Sequence, residues 1–186
     1  MRSVRGHPER RQDATGQGLV EFSLTLPIFV LLLMGVLEFG FLYNNILTVQ
    51  FASRQGVSAA AQVGAEDGAD CSVLKAVEAA LTTPIDKTRI TAVEVFQSDA
   101  NGEPISGRVN RYIRTGLLDC SGISTQPYTL TGTAGYPETT RKDSLADGLE
   151  VIGVHIEYVY VGVTPIGLGR TWDVSDGATL RIEPKQ

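Results

Sequence analysis

The segment from Leu19 to Tyr43 constrains this chain more than any other. Its 25 residues carry only two charged side chains, Glu21 and Glu38. As a helix it extends about 37 Å at ~1.5 Å per residue, against a hydrocarbon core of ~30 Å. The 16 residues between the two acids are slightly short for a span, and Phe39, Phe41 and Tyr43 prolong the run with side chains suited to a membrane interface. Three classes compete for such a segment: a buried core helix, a cleaved secretory signal, and a retained membrane helix. A secretory signal ends soon after its apolar run at a small-x-small site. This run exits into Phe39-Gly40-Phe41-Leu42-Tyr43-Asn44, which offers none. The retained helix is the reading adopted, with the other two as its rivals.

Charge follows the same division. The net charge of −5 hides a basic head, because residues 1–16 hold Arg2, Arg5, Arg10 and Arg11 against Glu9 and Asp13. The remainder therefore carries the larger negative excess. A basic head before an apolar run and an acidic body after it predicts a single pass with the N-terminus in the cytoplasm. The acidic body argues against nucleic-acid binding, which needs a basic face.

The run opens unusually. Gly16-Gln17-Gly18-Leu19-Val20-Glu21-Phe22 places a carboxylate at the start of hydrocarbon, where it costs ~2.5–3.5 kcal/mol if unpaired. Taken alone, Glu21 reads as a first-turn acid favoured by the helix dipole. Gly16 reads alone as a flexible residue before a helix capped by Thr15. Pro27 has no N–H for the Ser23 carbonyl, so a kink or loosening is expected there, with the Ser23 and Thr25 hydroxyls available to help. Glu38 falls 17 residues after Glu21, off its face, and reads as an interface acid.

The stretch from Gly16 to Pro27 resembles the N-terminus of TadE-like proteins, pilin-like (pseudopilin) components of the tight-adherence, or Tad, pilus. The resemblance rests on a basic leader, a Gly, four residues, Glu-Phe, and an apolar helix containing proline. It continues weakly at Ala52-Ser53-Arg54 and resumes at Ala178-Thr179-Leu180-Arg181-Ile182-Glu183-Pro184. It implies cleavage by a prepilin peptidase between Gly16 and Gln17, making Glu21 the fifth and Phe22 the sixth mature residue. It also implies that Glu21 attracts the new amino terminus of a neighbouring subunit during assembly. The four-residue spacing puts Glu21 on the face of that amine, and pairing removes most of the cost of an acid in lipid.

Beyond the membrane the helix is expected to continue through residues 44–66, its apolar stripe covered by a globular domain of residues 67–186. A second helix is expected over Ser72–Leu81, capped by Asp70 or Ser72, with Val73, Leu74, Val77 and Leu81 on one face and Thr83-Pro84 as its end. Ile90–Gln97 and Val109–Arg114 read as strands of a loose hairpin around Asp99-Ala100-Asn101-Gly102. Glu150–Val163 is the clearest strand, with Ile152, Val154, Ile156, Tyr158 and Tyr160 alternating toward the helix. Ala178, Leu180 and Ile182 point inward from a final strand. Residues 116–148 read as a long irregular stretch. The fold class is therefore α+β, a long N-terminal transmembrane helix followed by a small domain with a second helix and an antiparallel sheet.

Cys71 and Cys120 are the two cysteines, and an extracytoplasmic domain would permit their disulfide. Buried free thiols are the alternative. Little supports catalysis. His7 lies in the leader, and His155 beside Glu157 reads as a surface pair. Asp99, Asn101 and Glu103 lack the spacing of a calcium loop, and no nucleophile triad, phosphate loop or metal-spaced cluster appears. The expectation is a non-enzyme without metal or cofactor. Its expected partners are the membrane, a prepilin peptidase and other pilin-like subunits, with neither nucleic acid nor small-molecule substrate. An uncleaved, signal-anchored binding domain is the rival function.

Overall fold

The computed structural model describes residues 13–115, 128–167 and 169–185, with side chains from residue 16 onward. The first helix, α1, runs from Asp13 to Val63. It passes through Pro27 without a break in helical assignment. The neighbouring hydroxyls bond elsewhere than expected: Ser23 Oγ donates to the Val20 carbonyl, and Thr25 Oγ1 to those of Glu21 and Phe22. Because α1 is already helical at Asp13, Thr15 is not its cap and Gly16 lies inside the helix.

Two regimes divide α1. From Leu19 to Leu37 its large apolar side chains are largely exposed. From Glu38 onward one side is progressively buried, and Val49, Ala52, Val57, Ala60 and Ala61 belong to the hydrophobic core. The second helix, α2, spans Ala69–Ala80, and its Val73, Leu74 and Val77 are fully buried. Spacings of one, three and four put them on one stripe. Gly56 lets the helical stem approach both α2 and the sheet, since a Cβ there would lie 2.7 Å from Val77 and 3.1 Å from Val154.

Five antiparallel strands follow: β1 (Ile90–Ser98), β2 (Pro104–Arg114), β3 (Tyr128–Leu130), β4 (Val151–Val161) and β5 (Thr171–Arg181), in the spatial order β3-β2-β1-β4-β5. The helical stem and α2 cover one face of this sheet. In the central register Val95 lies between Asn110 and Val154, and Val93 between Tyr112 and Ile156, all on the helix face. The opposite face carries Glu94, Arg111, His155 and Glu157. Alternation in β4 is as expected, with Ile152, Val154, Ile156, Tyr158 and Tyr160 buried.

Several expectations need correction. The α2 N-terminus is capped by neither Asp70 nor Ser72. Glu138, from a 3-10 turn at Glu138–Thr140, accepts the N–H groups of Gly68 and Asp70 at 2.8 and 2.7 Å. This carboxylate satisfies orphan donors and the positive end of the dipole from far along the chain. Strand β2 begins at Pro104 rather than near Val109, and β5 begins at Thr171. The early residues of β2 are mostly exposed and show no apolar alternation, while β5 opens with only a brief one, Trp172 and Val174 inward, before Asp176 and Gly177 interrupt it. Leu180 is 43% exposed although Ile182 is buried, because β5 is an edge strand with one open flank. The stretch 116–148 contains β3 and the 3-10 turn; residues 116–127 lie outside the described residues.

Candidate functional site

The motif residues sit at the exposed beginning of α1. Gly16, Gln17, Glu21 and Phe22 are all exposed, and a Cβ added at Gly16 or Gly18 would meet no atom within 4 Å. Gln17 Nε2 donates to Glu21 Oε1 at 3.1 Å, so the two residues share a face as their spacing requires. Pro27 lies in the exposed apolar part of the same helix. Among the described residues one helix is long and apolar enough to cross a membrane, and its most apolar stretch is not buried at all.

Glu38 reads in the sequence as an interface acid without a functional role. It is instead the bolt between helix and domain. Its carboxylate accepts Tyr160 Oη at 2.8 Å, the Thr164 N–H at 2.8 Å and the Val163 N–H at 3.2 Å. The turn beyond, where Gly167 N–H donates to the Thr164 carbonyl at 3.0 Å, closes over it. A Cβ at Gly167 would lie 2.5 Å from the Glu38 carboxyl carbon, so glycine is needed for this approach. Burial and the nearby carboxylate push the Tyr160 phenol up to about 12. Sequence reading missed this role because every donor comes from residues 160–164.

Asp70 forms a second hidden centre. It is fully buried and paired with the equally buried Arg141, while Asn110 Nδ2 and Tyr112 Oη also donate to it. Arg141 stacks over the Tyr136 ring at 4.7 Å. Burial, then the Asp70 charge, drive the Tyr112 phenol well above its ordinary range. This network joins α2 to β2 and to the otherwise irregular 131–150 segment. Its role is structural, since no part of it opens to solvent.

His155 belongs to a larger cluster than the expected pair. Its Nδ1 lies 3.5 Å from Glu94 Oε2, and Arg111 binds Glu157 through two nitrogens at 2.8 and 2.6 Å while also bonding Glu94. Hydrogen bonding to Glu94 raises the His155 pKa, and hydrogen bonding to His155 lowers that of Glu94. Donor atoms of Glu94, His155 and Glu157 lie within 4.8 Å of one another, as metal ligands would. The Arg111 guanidinium already supplies the cation to both acids, so the donor set fits an internal ion-pair network better than a metal. The register that pairs Glu94 with both Arg111 and His155 assembles it, and no local spacing signals it.

Cys71, on α2, is disulfide-bonded. Its expected partner Cys120 lies outside the described residues. Asp99 accepts the N–H groups of Asn101 and Glu103 at 2.8 and 2.9 Å and so serves the hairpin turn.

Comparison with curated proteins and with solved structures yields no match. The sequence model of one family does match, over the exposed apolar helix and the stem that the sheet grips. It starts at Gly16 and ends at residue 66, so it does not reach the Ala178–Pro184 stretch that also carried a resemblance. Residues 16–66 of this chain are a match to the family described as TadE-like protein.

Proposed function

We infer that the chain is a membrane-anchored, pilin-like component of a Tad-type pilus apparatus, processed by a prepilin peptidase and acting in assembly or initiation of the surface fibre rather than as an enzyme. The observation that carries this reading is the exposed Gly16–Phe22 motif, set at the head of an equally exposed apolar helix within the family-matched segment. An exposed stretch of this length and composition is solvated by lipid or by sister helices, not by water.

The roles follow from position. Gly16 and Gln17 form the scissile pair. Cleavage requires the first turns of α1 to unwind locally, which an exposed helix end with free donors does at little cost. Gln17 then presents a new ammonium beside Glu21. That acid pairs with the amine of an incoming subunit, and Phe22 packs at the same step. The leader lies in the cytoplasm, the helix crosses the cytoplasmic membrane of a bacterium, and the sheet domain lies outside. The Cys71 disulfide supports an oxidising compartment for the domain. Partners are the bilayer, the peptidase and other pilin-like subunits.

The test is the N-terminus of the protein recovered from its native cell, read by mass spectrometry. A chain beginning at Gln17 is expected. A chain retaining Met1 to Gly16, in cells that process their other pilins, would overturn the reading in favour of an uncleaved, signal-anchored binding domain.

A further inference from the structure

The hold of the domain on Glu38 fixes where the membrane must end. Leu19 to Leu37 is 19 residues, ~28 Å of helix, close to the ~30 Å hydrocarbon core. The spanning segment is then full at Leu37, six residues short of the Tyr43 end read from sequence. Glu38 is the first residue beyond it, and the Val163 and Thr164 N–H groups that bind Glu38 must lie at the same height.

The loop at that height is apolar where it faces outward. Val163 is 55% and Ile166 42% exposed, beside Phe39 at 68% on the helix. Ile166, Phe39, Leu42, Gly35, Arg170 and Trp172 line a groove of about 320 Å³ between loop and helix. Outside α1, the other large exposed apolar side chains among the described residues are Ile105, Ile113, Leu145 and Leu180, none of which lines this groove. Among the described residues outside α1, Val163 and Ile166 are the large exposed apolar side chains that continue the apolar surface of the helix. On the other side of α1, Pro84 borders a hollow lined by Val36, Leu37 and Gly40, so a second loop reaches the same level. An apolar tip with an exposed Arg and a half-buried Trp behind it has the composition of a membrane interface.

We propose that the Val163–Gly167 loop is a second membrane contact, inserting Val163 and Ile166 into the outer-leaflet interface beside Phe39 while Arg170 meets lipid phosphate. The domain then rests on the bilayer in one orientation instead of swinging on a free helical stalk. This rests on the reading of α1 as a membrane helix, and the occupant of the groove is lipid because the surface is continuous with that helix.

The test uses the full chain in vesicles of phosphatidylcholine and phosphatidylglycerol. Trp172 is the sole tryptophan, so Trp172→Phe gives a silent background into which Ile166→Trp, Leu32→Trp or Leu145→Trp is placed. Interfacial groups sit ~5–10 Å into the headgroup and acyl boundary, so lipid brominated high on its chains should remove roughly half or more of the Ile166→Trp emission. Leu32→Trp reports the membrane span, and Leu145→Trp, in a loop linked to the far end of α1, should respond to aqueous iodide instead. Quenching of Leu32→Trp without quenching of Ile166→Trp overturns the loop contact alone. Failure of Leu32→Trp to be quenched overturns the membrane reading and the proposal together. Protection of Ile166→Trp from both quenchers indicates a protein occupant and also overturns the proposal. Val163→Trp repeats the measurement should Ile166→Trp fail to fold.

Discussion

The Glu38 carboxylate accepts the Thr164 backbone N–H at 2.8 Å, joining the point where α1 passes from exposed to buried to a loop 126 residues later in the chain. Two further donors, Tyr160 Oη and the Val163 N–H, complete the contact. Glu38→Ala should leave these groups without their acceptor and destabilise the loop by ~1–3 kcal/mol. Glu38→Gln keeps one acceptor oxygen and should cost less. Hydrogen exchange in detergent micelles reads this directly, as faster exchange at Val163 and Thr164 with little change in β1. Unchanged exchange at those two amides would show that the carboxylate does not hold the loop.

Gly167→Ala offers a steric version of the same test. The new methyl would meet the Glu38 carboxyl group, so the carboxylate must shift away from its donors or the loop must move off the helix. Thermal unfolding should fall by an amount similar to Glu38→Ala. The double variant should fall by less than the sum, because both changes break one contact. Full additivity would place the two residues in separate interactions.

Asp70→Ala should be more damaging than either of those changes. It strands the Arg141 guanidinium, whose side chain is 0% exposed. Breaking a buried pair from one side costs ~3–5 kcal/mol. Urea unfolding should show a midpoint shift of that order. The variant carrying both Asp70→Leu and Arg141→Met should recover part of it, since neither residue then leaves an unpaired charge at that site.

The pH dependence of stability should carry a signature of Glu94 and His155. The Glu94 pKa lies below its ordinary 4.5, so its contribution is full above that value and is lost as pH falls through the lowered pKa. The His155 pKa lies above its ordinary 6.5, so its contribution is full below that value and is lost as pH rises through the raised pKa. The pair is therefore most favourable from about 4.5 to about 6.5. Glu157 and Arg111 also face this site, and Arg111 stays charged throughout. Side-chain exposures of 30% and 19% limit the effect to under ~1 kcal/mol. His155→Gln should remove the alkaline decline in melting temperature and keep the acid one. An unaltered profile would show that His155 does not titrate against Glu94.

Glu21→Leu separates processing from assembly. The N-terminus at Gln17 should still form, while co-purification with partner subunits falls. An unpaired acid in lipid costs ~2.5–3.5 kcal/mol, so the lost bias toward docking corresponds to roughly a hundredfold. Normal co-purification of the processed Glu21→Leu protein would remove Glu21 from the assembly step.

How much of this was legible in the sequence depends on the range of the signal. The Gly16–Phe22 spacing, the apolar run, the Val73-Leu74-Val77 stripe and the alternation of β4 are short-range patterns with periods of 3.6 or 2, and the helices and the central strands follow them. The short β3 has too few residues to show a period, and the Trp172–Val174 alternation that opens β5 is too brief, cut off by Asp176 and Gly177, to mark a strand on its own.

The order of residues alone specifies an apolar N-terminal helix with an acid at its head and a small α+β domain behind it, because hydrophobic periodicity is written residue by residue. What Glu38, Asp70 and Glu94 do is set by the fold. A buried or half-buried carboxylate is stable only with its partners in place, and these come from Thr164, Arg141 and His155, residues that approach through sheet register and loop closure. The same local letters would read as surface acids until the fold brings those partners within hydrogen-bonding or ion-pairing distance.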